Sequence, residues 1–497
     1  MKIALTGPSL SCCSEVFRQT KTVQEQAECI VPDVCEDIGK ISFAQAQLFL
    51  KSKESSDHGV NIGVSAEIHV FYITERRDQV RTLSFSKSFE IGFDSPSIAS
   101  ESDIQISLHC MGVQARAVNP RKVSAQLSVR AGISCLCEGS VCIPTEVEQA
   151  QPDGLQLRAE NADCMITARP GEKSFVINEQ LPIDSPEEIT AVSSVRAELT
   201  GGDCQPIGSK VLVKGGAELE LGCETREGTC PVFIRQCLPF SVLVDMPDED
   251  CRVGNLRFET TALYADLNDA INGSRVIELE LHGVAQLGFE KAGKIRFLSD
   301  AYSTACPVKL EKDAAQICRF RGMQHLTTDV SEHIQVESDR GELVYTFADL
   351  LSFSVRDGKA ETPITVSLLL KDAENVYSTQ QRLLSVETAL PGTEGELTGV
   401  RIAAVRAERV GEEVLFEASL VLDYLLNELE ELQYLTSVDL DTEQPFEPSS
   451  LPALTIARKG GRDPWELAKI YHSSVEAIGE LNAKYPMDGD LLLIPRV

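Results

Sequence analysis

Basic charge is scarce in this chain, and so are aromatic rings and long apolar runs. Lysine and arginine number 46 against 76 aspartates and glutamates, a formal net charge of −30. A surface of that sign repels phosphate backbones and anionic headgroups, which excludes nucleic acid and an anionic membrane as main partners. It favours solubility and a neutral or basic protein partner. No apolar run approaches the ~18 residues that would span a bilayer. The opening MKIALTGPSLSCC has one lysine before Gly7 and Pro8 and lacks the apolar stretch of a signal peptide. The expectation is a cytoplasmic protein with no membrane span.

The signatures of chemistry are missing too. There is no GxSxG nucleophile turn, no GxxxxGK[ST] or GxGxxG phosphate cradle and no HExxH. The sixteen cysteines include no CxxC pair. Their densest set, Cys135, Cys137 and Cys142, has no histidine close by and lacks the paired four-ligand spacing of zinc. Reduced, mostly buried thiols are expected, with no metal and no cofactor. His69 and His282 fall within alternating strands and read as sheet residues. The acidic clusters Asp248-Glu249-Asp250 and Glu428, Glu430, Glu431 read as solvated faces. Together these absences point away from an enzyme. A glycosidase with carboxylates distant in sequence stays open, and an enclosed pocket with convergent titratable groups would favour an enzyme.

What is present is alternation. The 497 residues, 43% hydrophobic and 25% charged, suffice for about three or four cored domains. Apolar residues at every second position mark half-buried strands, because successive side chains point to opposite faces. Val60, Ile62, Val64, Ala66, Ile68, Val70 and Tyr72 form one such face. Val211, Val213, Ala217, Leu219 and Leu221 form a second, and Ile364, Val366, Leu368 and Leu370 a third, at intervals of roughly 150 residues, the size of a domain. Each run is followed by another: Val123 to Ala131, Ile277 to Leu281, Phe416 to Leu422. The first two follow related leads, Asn119-Pro120-Arg121-Lys122 and Asn272-Gly273-Ser274-Arg275. The fold class expected is mostly β, with three tandem diverged β-rich units, the third shortened.

The C-terminal order differs. Asp439 to Pro452 is acidic with three prolines and reads as a linker. Then come a short strand at Leu454 and Ile456, a turn at Gly460-Gly461, and a helix begun by Asp463 and Pro464 as cap and first-turn proline. A second helix starts at Ser473 or Ser474, and Gly489 leads into a last strand, Leu491 to Pro495. That is a βααβ unit.

Several of these segments resemble known families. Val31-Pro32-Asp33 with Asp37-Ile38, Lys210 to Gly215, Leu238-Pro239-Phe240 and Asp300-Ala301-Tyr302-Ser303 resemble the SPOCS domain of spore-coat and cytoskeletal association. In the third unit Pro363 and the stretch at 372–375 depart from that pattern. GRDPWELAKIY from Gly461, Ile478-x-x-Leu481-Asn482 and Gly489-Asp490-x-Leu492-x-Ile494-Pro495 resemble a LysM module, with Arg462-Asp463 where Asp-Thr is usual. The combination is similar to the SipL-type family of clostridial spore morphogenesis proteins. The boundaries that follow are 1–170 and 171–325 for two SPOCS-like units, 326–438 for a divergent third, 439–452 for the linker and 453–497 for the LysM module.

The resemblance implies a non-enzymatic scaffold in the mother-cell cytoplasm at the forespore surface. Its LysM module would bind a morphogenetic ATPase of the spore coat, and its β units would meet other coat proteins or self-associate. The alternative it leaves is a wall-associated binder of peptidoglycan or N-acetylglucosamine polymers. Contact residues expected in the LysM loops are Lys459, Gly460, Arg462, Asp463, Tyr485, Met487 and Asp488. Trp465, Leu467, Ala468, Tyr471, Ile478, Leu481, Asn482 and Ile494 are expected to form the module core, with Trp465, the only tryptophan, as its anchor.

Overall fold

The alternating runs become the central strands of facing sheets. The computed structural model describes residues 1–183, 185, 187–269, 275–336, 341–391, 395–446, 453–487 and 489–496. It is mostly β, 75% strand with two short helices. After two short strands, β1 (Lys2–Ile3) and β2 (Leu5–Thr6), come β3 (Ser9–Ile30), β4 (Ile38–Ser56), β5 (Gly59–Thr74), β6 (Val80–Asp94), β7 (Asp103–Asn119) and β8 (Lys122–Cys142). Antiparallel pairing places β8 between β3 and β7, and β5 between β4 and β6. The apolar faces of β5 and β8 meet in one core, where Val60 through Tyr72 and Val123 through Ala131 are at most 2% exposed at alternate positions. A central strand has its backbone fixed from both edges and one whole face covered by the opposing sheet, which is why its period is clean.

The next segment begins with β9 (Glu146–Val147), which pairs with β2. It continues with β10 (Leu155–Thr167), β11 (Gly171–Pro182), β12 (Ile189–Ile207), β13 (Lys210–Thr225), β14 (Val232–Asp245), β15 (Arg252–Asp269) and β16 (Arg275–Ser303). Here β16 lies between β11 and β15 and then pairs with β10 along its second half, while β13 lies between β12 and β14. Then follow β17 (Val308–Gln335), β18 (Glu342–Leu350), β19 (Ser354–Arg356), β20 (Lys359–Lys371), β21 (Tyr377–Ala389), β22 (Gly395–Val410) and β23 (Glu413–Leu440). Now β23 is central between β17 and β22, and β20 between β18 with β19 and β21. One order of pairing, with the sixth strand between first and fifth and the third between second and fourth, thus recurs along the chain.

Three expectations are corrected. The boundary at residues 325 and 326 falls inside β17, which runs unbroken from Val308 and pairs with β23 throughout. β17 is an edge strand with little alternation, so the sequence pattern did not show where it begins. For the same reason the third segment is not short of strands. The expected linker is also partly strand: Asp439 and Leu440 end β23, Lys2 pairs with Asp439, Val308 pairs with Leu440, and Leu440 is buried. Further on, Phe446 N–H donates to the Ala305 carbonyl at 2.9 Å; residues 447–452 lie outside the described ones, as do Asn272, Gly273 and Ser274 of the second lead.

The three sheet pairs share a junction. Phe43 and Phe71 of the first meet Phe233 of the second and Tyr345 and Phe347 of the third. Ring centroids are 4.4 Å apart for Phe43–Phe71, 4.9 Å for Phe43–Phe347, 5.3 Å for Phe71–Phe233 and 3.7 Å for Phe233–Tyr345. Polar contacts extend the seams. Gln286 of β16 accepts from Ile106 N–H at 2.8 Å and donates to its carbonyl at 3.1 Å, acting as a side-chain surrogate for a neighbouring strand at the β7 edge. Gln47 of β4 accepts from Ala197 N–H of β12 at 2.9 Å.

The chain ends in β24 (Leu454–Arg458), α1 (Pro464–Ile470), α2 (Val475–Lys484) and β25 (Leu491–Pro495), with β24 antiparallel to β25. Asp463 caps α1 by accepting from Trp465 N–H at 3.1 Å, and Ser474 caps α2 by accepting from Ala477 N–H at 3.1 Å. Among the described residues no helix is long and apolar enough to cross a membrane.

Candidate functional site

Two places could carry function: the loops of the C-terminal β–α–α–β segment, and a cavity at the junction. In the first, the turn after β24 and the loop before β25 are joined by Asp490. Its carbonyl accepts from Lys459 N–H at 2.7 Å, and its carboxylate accepts from Gly460 N–H at 2.8 Å. Gly460 and Gly461 both take positive φ, 52° and 73°, which lets the turn fold tightly without a Cβ penalty. Lys459, Gly460 and Arg462 are exposed, Tyr485 is 54% exposed and Met487 is half-buried. These expected contact residues fall in the two loops, the turn after β24 and the stretch between α2 and β25. Asp488 lies outside the described residues.

Asp463 is engaged elsewhere, its carboxylate 2.8 Å from the Arg158 guanidinium of β10. That ion pair belongs to a docking face. The Trp465 indole N–H donates to Asp300 of β16 at 2.9 Å, and Lys469 reaches the same carboxylate at 2.8 Å. Tyr302 packs edge-on against the Trp465 ring at 4.8 Å and donates to the Ser473 carbonyl at 2.7 Å. Burial opposes charge on Asp300, but the bonds from Lys469 and Trp465 outweigh it and hold the carboxyl below its usual value. Trp465, expected as the core anchor, is half-buried at this seam. The core itself is Leu467, Ala468, Ile478, Ile494 and Ala457, closed by Tyr302 of β16, with Trp465, Tyr471 and Leu492 packed against it. Leu454 and Ile456 are exposed. Leu481 and Asn482 are half-buried. The Asn482 side chain accepts from Leu493 N–H at 2.8 Å and donates to the Ile478 and Leu493 carbonyls at 2.8 and 2.6 Å, pinning α2 to β25.

The second place is a cavity of about 630 Å³ walled by edge strands β4, β7, β12, β15, β18 and β22, with parts of β17 and β23. Titratable groups converge on it: His109, Cys110, Arg196, Glu198, Arg257 and Glu259, with Asp349, Arg401 and Asp423. Burial pushes the Glu259 carboxyl up to about 8 and the Asp349 carboxyl up to about 6. It pushes His109 down to about 4, helped by the charges of Arg257 and Arg130, and Cys110 up to about 12, helped by Asp349. None of these residues was singled out from the sequence. A signal exists in hindsight: Ala46-Gln47-Leu48, Ala197-Glu198-Leu199 and Ala348-Asp349-Leu350 are evenly spaced along the chain, and each puts a polar side chain into the wall.

Among the described residues no three His, Cys, Asp or Glu side chains group to hold a metal. Cys135 is buried on β8, the Cys137 sulfur lies 3.1 Å from the Ser102 hydroxyl, and Cys142 donates to the Gly7 carbonyl, so the densest cysteines diverge. His69, in β5, is buried with Nδ1 2.8 Å from the Ser84 hydroxyl. Of the acidic clusters, Asp248 and Asp250 pair with Lys291, and Glu430 pairs with Arg319. Compared with known proteins, the chain matches no family model, no curated protein and no solved structure.

Proposed function

We propose that the chain is a non-enzymatic assembly protein of the endospore surface, with three diverged copies of one SPOCS-like unit as its body and a LysM-like module as its binding end. The recurring pairing order supports three copies, and the β–α–α–β order with its two loops tied through Asp490 supports the LysM reading. The observation that carries the functional reading is the division of the module's surface. Trp465, Lys469 and Asp463 are spent on β16 and β10, whereas Lys459, Arg462 and Tyr485 stay exposed for a partner.

The partner on this reading is the morphogenetic ATPase that polymerises on the forespore, met in the mother-cell cytoplasm. A weak loop contact becomes effective because the body holds many modules near one polymer, through self-association or other coat proteins. In the test, the full-length chain is titrated in parallel with the purified ATPase of the same organism and with a soluble peptidoglycan fragment. Binding to the ATPase, weakened at least tenfold by Arg462→Ala or Tyr485→Ala, is expected. Binding to the glycan alone would replace this reading with the wall-associated one.

The cavity favours a second reading, an enzyme working there, since titratable groups converge in it. Cys110, held near 12, is a thiol and not a thiolate at neutral pH. The groups left are the carboxyls of Glu259 and Asp349, raised by burial and suited to proton transfer, and the guanidiniums, which bind rather than attack.

A further inference from the structure

Arg196 on β12, Arg257 on β15 and Arg401 on β22 face the cavity. Among the described residues, none of the three donates a hydrogen bond to a protein acceptor or lies within ion-pair distance of a carboxylate; the Arg196 guanidinium lies 5.8 Å from the Phe347 ring. Other arginines, at the seams and at the cavity's edge, behave differently. Arg235 donates to Glu220, to the Tyr345 hydroxyl and to the carbonyls of Thr346 and Val405. Arg252 and Arg321 bracket Glu290 at 3.5 and 3.6 Å. A guanidinium taken from bulk water keeps five N–H donors that need acceptors. The chain provides them for Arg235, Arg252 and Arg321 and leaves them out for Arg196, Arg257 and Arg401. Asn255 Oδ1, in the same wall, is buried without a partner.

We propose that this cavity is a binding site for a small anion whose carboxylate or phosphate oxygens are held by Arg196, Arg257 and Arg401. The planar fork of each guanidinium matches either oxygen pair, and the volume falls within the roughly 300–1,000 Å³ of small-molecule sites. Access runs past Arg252 and His325, wall residues that are exposed. The acids that share the wall fit this assignment. Burial raises Glu198, Asp349 and Glu259 alike, so they yield charge more readily than surface carboxylates when an anion enters. Glu259, protonated at neutral pH, offers a hydroxyl donor in place of a repelling charge. The inference stands apart from the coat-assembly reading and survives its failure.

The test uses the full-length chain, with citrate and inorganic phosphate as probes and sodium chloride at matched ionic strength as the blank. Calorimetric titration should show one saturable site per chain for at least one probe, and the probe that binds identifies the oxygen chemistry. Arg196→Gln, Arg257→Gln and Arg401→Gln should each weaken binding at least tenfold, while Arg319→Gln on the surface changes nothing. Circular dichroism and urea unfolding check that the variants fold, and Arg→Lys substitutions replace any that do not. A shift in the unfolding midpoint of the parent chain by the bound probe gives a readout that needs no variant. Absence of saturable binding by both probes, or saturable binding that all three cavity substitutions leave intact, overturns the assignment.

Discussion

Glu259 sits where its charge is costly. Its carboxyl accepts from Leu108 N–H of β7 at 3.1 Å, with no guanidinium in ion-pair contact among the described residues, and burial dominates the help from that bond and from Arg257. The folded carboxyl holds its proton up to about 8, whereas an unfolded one releases it near 4.5. Between those values the native state binds more protons than the unfolded state, so stability from this group falls as pH rises and levels off above 8. Glu259→Gln keeps the acceptor for Leu108 and removes the titration. The variant should be more stable than the parent by about 1–3 kcal/mol at pH 8, with the difference shrinking towards pH 5. Urea midpoints at the two pH values measure it, and an equal difference at both would show that Glu259 does not hold its proton. Nothing in Phe258-Glu259-Thr260 announces this, because a lone glutamate in a strand reads as a solvated residue until the strand opposite is known.

At the scale of elements, the pinned contact between α2 and β25 is the sharpest case. Asn482→Ala removes three hydrogen bonds and leaves the Leu493 N–H and carbonyl short of partners in a half-buried setting. The expected cost is about 1–3 kcal/mol, and because Trp465 is the only tryptophan, its emission in a urea titration reports the C-terminal segment and its seam with β16. An unchanged midpoint would mean the pin is redundant.

What could be read from the sequence divides along the same lines. β5, β8, β13, β16, β20 and β23 were visible as alternating runs because they are central. Their edge partners were not, since an edge strand is held by one neighbour and its side chains answer to whatever lies across the seam. Pro363 shows the limit. It occupies the central strand β20, where a missing N–H should break the ladder. The edge strand opposite is itself divided, with β18 ending at Leu350 against Ile364 and β19 resuming at Ser354 against Glu361, so no partner is deprived. The stretch at 372–375 is likewise a turn, in which the Asp372 carboxylate accepts from the N–H groups of Glu374 and Val376, both at 2.9 Å. Trp465 packs against the core of its segment, but its second contact was hidden for a similar reason, since its partner Asp300 lies far away in sequence.

For the molecule as a whole, the question is what makes three cores behave as one body. Each sheet pair has its own buried set, to which the first pair lends Phe49 on the second's side and Met111 on the third's. What joins them besides is a small aromatic cluster and a set of backbone surrogates. Phe43 is the keystone, 3% exposed and stacked on both Phe71 and Phe347. Truncating it empties the point where the first and third sheet pairs meet, while the core behind β4 keeps all its members. Phe43→Ala should therefore cost about 3–5 kcal/mol and do so at the seams. Calorimetry of the variant should show the main transition broadening or splitting, as the sheet pairs begin to unfold separately. A variant that loses the same stability but keeps the parent's single sharp transition would place the coupling elsewhere, in the polar seams of Gln47, Gln286 and Arg235. The cavity would follow the junction: its wall is drawn from all three sheet pairs, so anion binding at Arg196, Arg257 and Arg401 should weaken in Phe43→Ala although none of the three arginines has been changed.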